Sequence, residues 1–192
     1  RRLVSGGNFD LVTGVDLNQP YQQTAVLHYI TSKDPKVALM AMRCTAFGPW
    51  SNYNEVHYPE AWQRSYDESW PHARFGGVVA GVMMDRGRDW LSEQPQGSKL
   101  YREPPWPSVL ARPNIASEIV HQCATGQRGP KGGLVKKATE FKASDDRLLV
   151  YLRPLKCNGK HDHEHPTGAG LKKLQLYTWI LIYGIMDGVC LL

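Results

Sequence analysis

The stretch Val37–Met42, which reads VALMAM, decides how this chain is expected to fold. It is apolar throughout, and it lies between the breaker pair Asp34-Pro35 and the polar segment Arg43-Cys44-Thr45. A short apolar run bounded in this way is typical of a strand that is buried on both faces. We therefore expect Val37–Met42 to be a central strand of a parallel sheet.

Helices and further strands are predicted on both sides of this run. A helix is expected to begin near Pro20, because proline is favoured in a first helical turn, and to end before Asp34. Between residues 59 and 87 we expect two helices that are broken at Pro71. Further elements are predicted as strands at residues 89–95, 115–122 and 139–142, a short helix at 145–152, and a last helix from about Gly170. This alternation predicts an α/β fold, a mainly parallel sheet with flanking helices.

Length and composition suit one ordinary globular domain. The chain has 192 residues, of which 42% are apolar and 21% charged. Scattered glycines and prolines exclude collagen-like and low-complexity chains, and the lack of a fixed repeat argues against a solenoid. The net charge of +5 is compatible with a nucleic-acid partner and equally with an ordinary basic surface.

The four cysteines are far apart, and no pair has CxxC spacing. We interpret them as reduced thiols of an intracellular protein, nuclear or cytoplasmic. No signal peptide is visible, and the apolar run Leu174–Leu192 contains Asp187 and two glycines. These features favour a buried helix over a membrane span, and no membrane partner is expected. Because the chain begins at Arg1 and stops inside this run, we expect residues 1–192 to be one domain from a longer product.

Two residues at predicted strand ends are candidates for catalysis. Cys44 follows the first strand, where a thiol can face a cleft and act as a nucleophile; the alternative is a small buried apolar residue. Glu93 lies near the end of the strand at 89–95, and the alternative is a solvated charge. Parallel strands place their carboxyl ends at one edge of a sheet, so we expect both side chains to face one cleft.

The region 123–168 is predicted to be rich in basic and histidine-containing loops. Cys157, His161 and His163 offer sulfur and imidazole at short spacing, which suits zinc; the alternative is a solvated loop. The loop Gly126–Gly133 matches no phosphate-binding motif. Its basic residues and those just after it could contact nucleic-acid phosphates or form an ordinary surface. These residues are Arg128, Lys131, Lys136 and Lys137.

Seven short segments, taken in order, carry a family resemblance. They are Phe9-Asp10-Leu11, Gly14–Leu17, Arg43–Phe47, Trp90–Pro95, Gln122-Cys123, Lys137-Ala138-Thr139 and Cys157–His163. Together they resemble degenerate cytosine-5 DNA methyltransferase-like domains, which occur in phages and in retroelement polyproteins of protists. The resemblance implies a Rossmann-like methyltransferase fold and DNA as the partner.

The resemblance also implies roles for individual residues. Cys44 would attack C6 of a flipped cytosine, and Glu93 would contact N3 of the same ring. Asp16 would contact the adenine of S-adenosylmethionine, with Asp10 as a second cofactor-binding residue.

The chain departs from the family pattern at its start and at the nucleophile. The Gly-rich cofactor motif should precede Phe9, where only Arg1–Asn8 stand, and Arg43 replaces the proline before the cysteine. Two hypotheses follow. The chain is a methyltransferase-type domain that uses S-adenosylmethionine only if a longer product supplies that motif. Alternatively, it is a non-catalytic nucleic-acid-binding or structural segment of a retroelement polyprotein.

Overall fold

A computed structural model describes residues 3–167, 171 and 174–192. The strands within these residues are β1 (Val37–Met40), β2 (Asp89–Pro95), β3 (Ala116–His121) and β4 (Ala138–Ala143). The α-helices are α1 (Pro20–Lys33), α2 (Ser51–His57), α3 (Pro59–Asp85), α4 (Trp106–Leu110) and α5 (Trp179–Cys190). The result is an α/β fold, in which one sheet has helices on both of its faces, as the sequence predicts.

The sheet is mixed, and the prediction of a mainly parallel sheet is wrong. Its strand order is β1-β2-β4-β3. β1 and β2 are parallel, whereas β4 runs antiparallel to both β2 and β3. The reason lies in the connections: α2 and α3 provide the long crossover that a parallel pair needs, but the chain returns from β3 to β4 without an α-helix. β4 therefore turns back and inserts between β2 and β3.

The run Val37–Met42 forms an edge strand rather than a central one. β1 ends at Met40 and pairs with β2 alone among the described strands. Met42 leaves the sheet and packs against α3, where a Cβ at Gly76 would lie 2.8 Å from its Sδ atom. Its carbonyl accepts a hydrogen bond of 2.8 Å from Nε2 of the buried Gln94. The first four residues of the apolar run thus form a short edge strand, and Met42 is buried in the core.

A single helix, α3, replaces the two helices expected on either side of Pro71. A proline inside a helix costs about 3 kcal/mol. The residues after it bury Phe75, Val79 and Met83 against the sheet, and each contributes about 1.5–3 kcal/mol. This burial offsets the cost of the proline, so the helix continues through it.

Alternation along β2 divides the core into two layers. Trp90 packs in the core beneath α3 and α4, while Leu91 packs on the other face, beneath α5. Glu93 shares the face of Leu91 and points to the α5 side of the sheet. β2 therefore carries its one central carboxylate into the layer between the sheet and the C-terminal helix.

The last helix begins later than expected. Gly170, the predicted start, lies outside the described residues, and α5 begins at Trp179 after the N-cap Thr178. Leu181 and Ile185 are buried, whereas Tyr183 is exposed, so the helix is amphipathic rather than fully buried. Among the described residues, no helix combines the length and the apolar composition that a membrane span requires.

Candidate metal centre and thiol cleft

Four potential metal ligands lie close together just beyond the C-terminal end of β3. The ligand atoms of Cys123, Cys157, His161 and His163 all lie within 4.8 Å of one another. Sγ of Cys157 is 3.8 Å from Nε2 of His161 and 3.4 Å from Nε2 of His163. The structure thus gathers the three ligands expected from sequence and adds Cys123 to them. This cluster could hold a metal ion.

Local backbone geometry places each of these ligands. Cys123 lies on a 3₁₀ helix, Gln122–Thr125, that directly follows β3. The other three lie on the loop 157–163, which turns at Gly159 with a φ of +71°, a conformation that favours glycine. The Gly159 N–H points to Sγ of Cys157 at 3.4 Å. This turn brings the imidazoles of His161 and His163 close to Sγ of Cys157.

His121 supports the cluster without belonging to it. Its ring Nδ1 accepts a hydrogen bond of 3.0 Å from the backbone N–H of Cys157. Its backbone N–H donates to the Leu155 carbonyl at 2.9 Å. Burial lowers the pKa of His121, and the charges of Lys136 and Lys156 lower it further. His121 therefore stays neutral, as an acceptor at Nδ1 must, and it ties the end of β3 to the ligand loop.

Two of the potential ligands, Cys123 and His163, have shifted pKa values. Burial raises the pKa of the Cys123 thiol, and the hydrogen bond with Cys157 raises it further. Burial lowers the pKa of His163, as do the neighbouring His161 and Lys136. Without a cation these groups stay neutral. A bound metal would displace the thiol protons and use the neutral imidazoles directly.

Glu164, the residue after the last ligand, holds the glycine-rich loop. Its carboxylate oxygens accept hydrogen bonds from the N–H groups of Lys131 at 3.1 Å and Gly133 at 2.9 Å. A Cβ at Gly129 would lie 2.3 Å from Oε1 of Glu164. The close approach of a carboxylate therefore explains Gly129 and Gly133.

The predicted nucleic-acid residues divide into two groups. Arg128, Lys131 and Lys136 are exposed, and Nη1 of Arg128 donates to the Gly132 carbonyl at 2.6 Å. For these three, phosphate contact stays a prediction. Lys137 is half-buried instead, and its Nζ donates to the carbonyl of the buried Leu174 at 3.2 Å.

A second site lies on the face of the sheet beneath α5. It is a cleft of about 190 Å³ between β1, β2, β4 and α5, with mostly apolar walls and one carboxylate. Its lining residues include Leu39, Leu91, Glu93, Phe141, Tyr177 and Ile182. Oε1 of Glu93 is buried and has no hydrogen-bond partner among the described residues. The cleft therefore offers one unsatisfied polar atom in apolar surroundings.

Cys44 and Glu93 influence each other electrostatically, while the expectation that both side chains face one cleft stays a prediction. Burial raises the pKa of the Cys44 thiol, the charge of Glu93 raises it further, and the charge of Lys137 lowers it. Burial also raises the pKa of Glu93, against the opposing effects of Lys137 and a hydrogen bond from Tyr177. Thiol, carboxyl and ammonium groups thus act on one another at this end of the sheet.

Tyr177 is the member of this group that sequence reasoning missed. Burial holds its pKa far above the usual range, and the Glu93 carboxyl holds it higher still. Its hydroxyl therefore remains protonated beside Glu93. A tyrosine just before an apolar helix has no distinguishing sequence pattern, so only the fold reveals it.

The two residues assigned to S-adenosylmethionine lie in local turns. Oδ1 of Asp10 caps a 3₁₀ helix at the Val12 N–H, at 2.8 Å. Asp16 accepts from the Asn18 N–H at 3.0 Å and from Nε2 of Gln19 at 3.1 Å, contacts that lower its pKa. Residues 3–9 contain no strand that could lead into a Gly-rich cofactor turn. The role of Asp10 and Asp16 in binding S-adenosylmethionine stays a prediction.

No protein-family model matches the chain, and no curated protein or solved structure matches it either. The resemblance to methyltransferase-like domains stays a prediction.

Proposed function

We propose that the C-terminal part of this chain is organised by a structural zinc ion held by Cys123, Cys157, His161 and His163. Zn–S bonds of about 2.3 Å and Zn–N bonds of about 2.0 Å put tetrahedral ligands about 3.5 Å apart. The separations of 3.4 and 3.8 Å from Sγ of Cys157 to the two imidazoles fit this value. This agreement is the observation that carries the proposal.

The donor set favours a structural role over a catalytic one. Two sulfurs and two nitrogens fill all four positions of a tetrahedral zinc ion, whereas a catalytic zinc keeps one position for water or substrate. The ion would join the end of β3 to the loop 157–163. That loop has no helix or strand of its own, so the metal would supply the order that secondary structure does not.

Metal content and thermal stability together test this role. We expect the full chain to retain about one zinc ion, and Cys123→Ala to lose both the metal and about 4 kcal/mol or more of stability. The matched control is Cys190→Ala, which changes an exposed cysteine outside the cluster. Equal metal content and equal melting temperature in the two variants would overturn the proposal.

We further propose that Cys44 and Glu93 are the nucleophile and the acid of a cytosine-5 methyltransferase-like site. The mutual electrostatic influence of Cys44 and Glu93 supports this proposal. The Cys44 sulfur would form a bond to C6 of a pyrimidine as the C5=C6 π pair shifts into the ring. The proton of the Cys44 thiol would pass to the Glu93 carboxylate, and Glu93 would then give this proton to N3. No group leaves, so the step is a reversible addition and requires no methyl donor.

A DNA oligonucleotide containing 5-azacytosine tests this chemistry. Its C6=N5 bond is electrophilic, and thiolate addition with protonation at N5 gives an adduct of defined mass. We expect an adduct at Cys44 that is absent in Cys44→Ser and reduced in Glu93→Gln. Binding of the oligonucleotide without any adduct would instead favour the non-catalytic nucleic-acid-binding alternative.

A further inference from the structure

We propose that the exposed face of α5 is a dimer interface, on which a second copy of this chain packs its own α5. The two helices would run antiparallel about a two-fold axis. Four residues define this face, which we call the α5 stripe: Trp179, Tyr183, Met186 and Cys190. The stripe contains no residue of the proposed zinc or thiol chemistry, so the dimer does not depend on either.

The α5 stripe is apolar and largely exposed. Trp179 is 71% and Tyr183 62% exposed, and their ring centroids are 6.1 Å apart. Leu181 and Ile185, on the opposite side of the helix, are buried against the domain. Asp187 is the one charged residue in α5. A surface helix of a monomer normally presents charged and polar side chains to water, so the composition of this face indicates a partner.

The spacing of the stripe indicates that this partner is a helix. Positions 179, 183, 186 and 190 are separated by four, three and four residues. Side chains at these intervals form one row along a helix, and they fit between the side chains of a second helix that lies along the row.

The stripe is complementary to itself when the two copies are antiparallel. A two-fold axis through the middle of α5 places Trp179 opposite Cys190 of the second copy, and Tyr183 opposite Met186 of that copy. The largest side chain then faces a small one, and a thioether faces an aromatic ring, which is a favourable contact. Each pair occurs twice, as an interface with two-fold symmetry requires.

Charge and size favour this orientation over a parallel one. In a parallel pair, Asp187 would lie beside Asp187 of the second copy, Trp179 would meet Trp179, and the helix dipoles would repel each other. The antiparallel pair moves the two carboxylates about 7 Å apart along the helix axis and aligns the dipoles favourably.

The apolar surface around the stripe is large enough for a dimer. Leu176 is 74% exposed, and Ile180 and Leu39 are each 53% exposed. Leu39 lines the cleft beneath α5 together with Met186, so the surface continues from the helix to the edge strand β1. With aromatic side chains of about 150–250 Å² and aliphatic ones somewhat smaller, these three residues, Trp179 and Tyr183 expose about 600 Å² per copy. Stable interfaces begin at about 600 Å² per partner.

Sedimentation equilibrium of the full chain tests the interface. The chain has a mass of 21.6 kDa, and we expect about twice this mass at about 100 μM. Tyr183→Glu should weaken the dimer about tenfold or more, because it places a charge at the centre of the interface. The matched control is Tyr21→Glu, the same change at a tyrosine of α1 that is 69% exposed, and it should leave the dimer unchanged. Circular dichroism establishes that both variants are folded.

Disulfide cross-linking tests the orientation. In Trp179→Cys the new thiol lies opposite Cys190 of the second copy, and we expect mild oxidation to join these positions, as identified by peptide mass. The native chain should form no disulfide between its two Cys190 thiols, because the antiparallel pair places them about 16 Å apart along the helix axis.

A native chain that is monomeric at about 100 μM would overturn the proposal, as would equal dissociation by Tyr21→Glu and Tyr183→Glu. A native disulfide between the two Cys190 thiols would overturn the orientation, as would a Trp179→Cys dimer without the expected cross-link. Loss of the dimer in folded Trp179→Cys would support the interface, since Trp179 lies in it. A monomer that sediments with phosphatidylserine vesicles would refute the dimer and identify a lipid surface as the partner of α5.

Discussion

Sγ of Cys157 lies 3.4 Å from Nε2 of His163, the separation that two ligands of one tetrahedral zinc ion adopt. The two residues are joined by a loop that contains Gly159 and lacks regular secondary structure. A metal ion held by these residues is the link that we propose between the loop and the strand pair β3–β4.

Substitution of Gly188, the last glycine of α5, tests how this helix packs on the rest of the domain. A Cβ at Gly188 would lie 2.5 Å from the Leu148 carbonyl oxygen, a backbone atom that cannot move aside cheaply. We expect Gly188→Ala to destabilise the domain by about 2–4 kcal/mol in urea unfolding. The matched control is Gly81→Ala in α3, where the nearest atom would be 3.9 Å away. That change should stabilise the helix by about 0.5–1 kcal/mol, and equal effects of the two variants would contradict this packing.

Because Glu164 contacts the glycine-rich loop, we expect substitutions at Gly129 and Glu164 to have non-additive effects on the free energy of unfolding. Gly129→Ala would place a methyl group against the Glu164 carboxylate, and we expect a loss of about 1–3 kcal/mol. In the double variant with Glu164→Ala the clash is absent, so the second change should recover part of the loss. Urea unfolding of the two single variants and the double variant measures this coupling. Strict additivity would show that the loop and Glu164 do not touch.

Acid stability depends on Asp34, the residue that ends α1. The ion pair with Arg88, together with Arg86, lowers the pKa of Asp34 from 3.8 to about 2. A depressed pKa stabilises the fold above the unfolded value and loses this effect as the pH falls through the folded value. We therefore expect Asp34→Asn to flatten the decline in melting temperature between pH 4 and pH 2. The same slope in both proteins would refute the ion pair's contribution.

Binding of S-adenosylmethionine by the chain is expected to be weak. Asp10 and Asp16 already accept hydrogen bonds from their own turns, and one further polar contact contributes only about 1 kcal/mol. Micromolar binding requires about 8 kcal/mol. Calorimetric titration measures this directly. A micromolar dissociation constant that is lost in Asp16→Ala would restore the complete methyltransferase site implied by the resemblance.

Local features of the fold could be predicted because short-range chemistry determines them. Pro20 begins α1, and β2 spans Asp89–Pro95 as its apolar pattern indicates. Strand order could not be predicted, since it depends on which connections carry a crossover helix. The continuation of α3 through Pro71 was equally hidden, because the compensating burial of Phe75 and Met83 is tertiary.

The candidate sites likewise combine residues that could be predicted from local sequence with residues that only the tertiary fold brings in. Cys157, His161 and His163 are close in sequence, and their spacing alone indicated a ligand loop. Cys123 lies far upstream, without CxxC spacing, and only the return of the chain from β3 to β4 brings it to the cluster. Tyr177 joins the cleft through the docking of α5, for the same reason.

Zinc X-ray absorption on the full chain tests the central claim most directly. We predict a single site with two sulfur scatterers at about 2.3 Å and two nitrogen scatterers at about 2.0–2.1 Å, in which Cys123→Ala removes one sulfur or the metal altogether. A shell of nitrogen and oxygen alone, or a chain that retains no zinc after purification in its presence, would contradict the account.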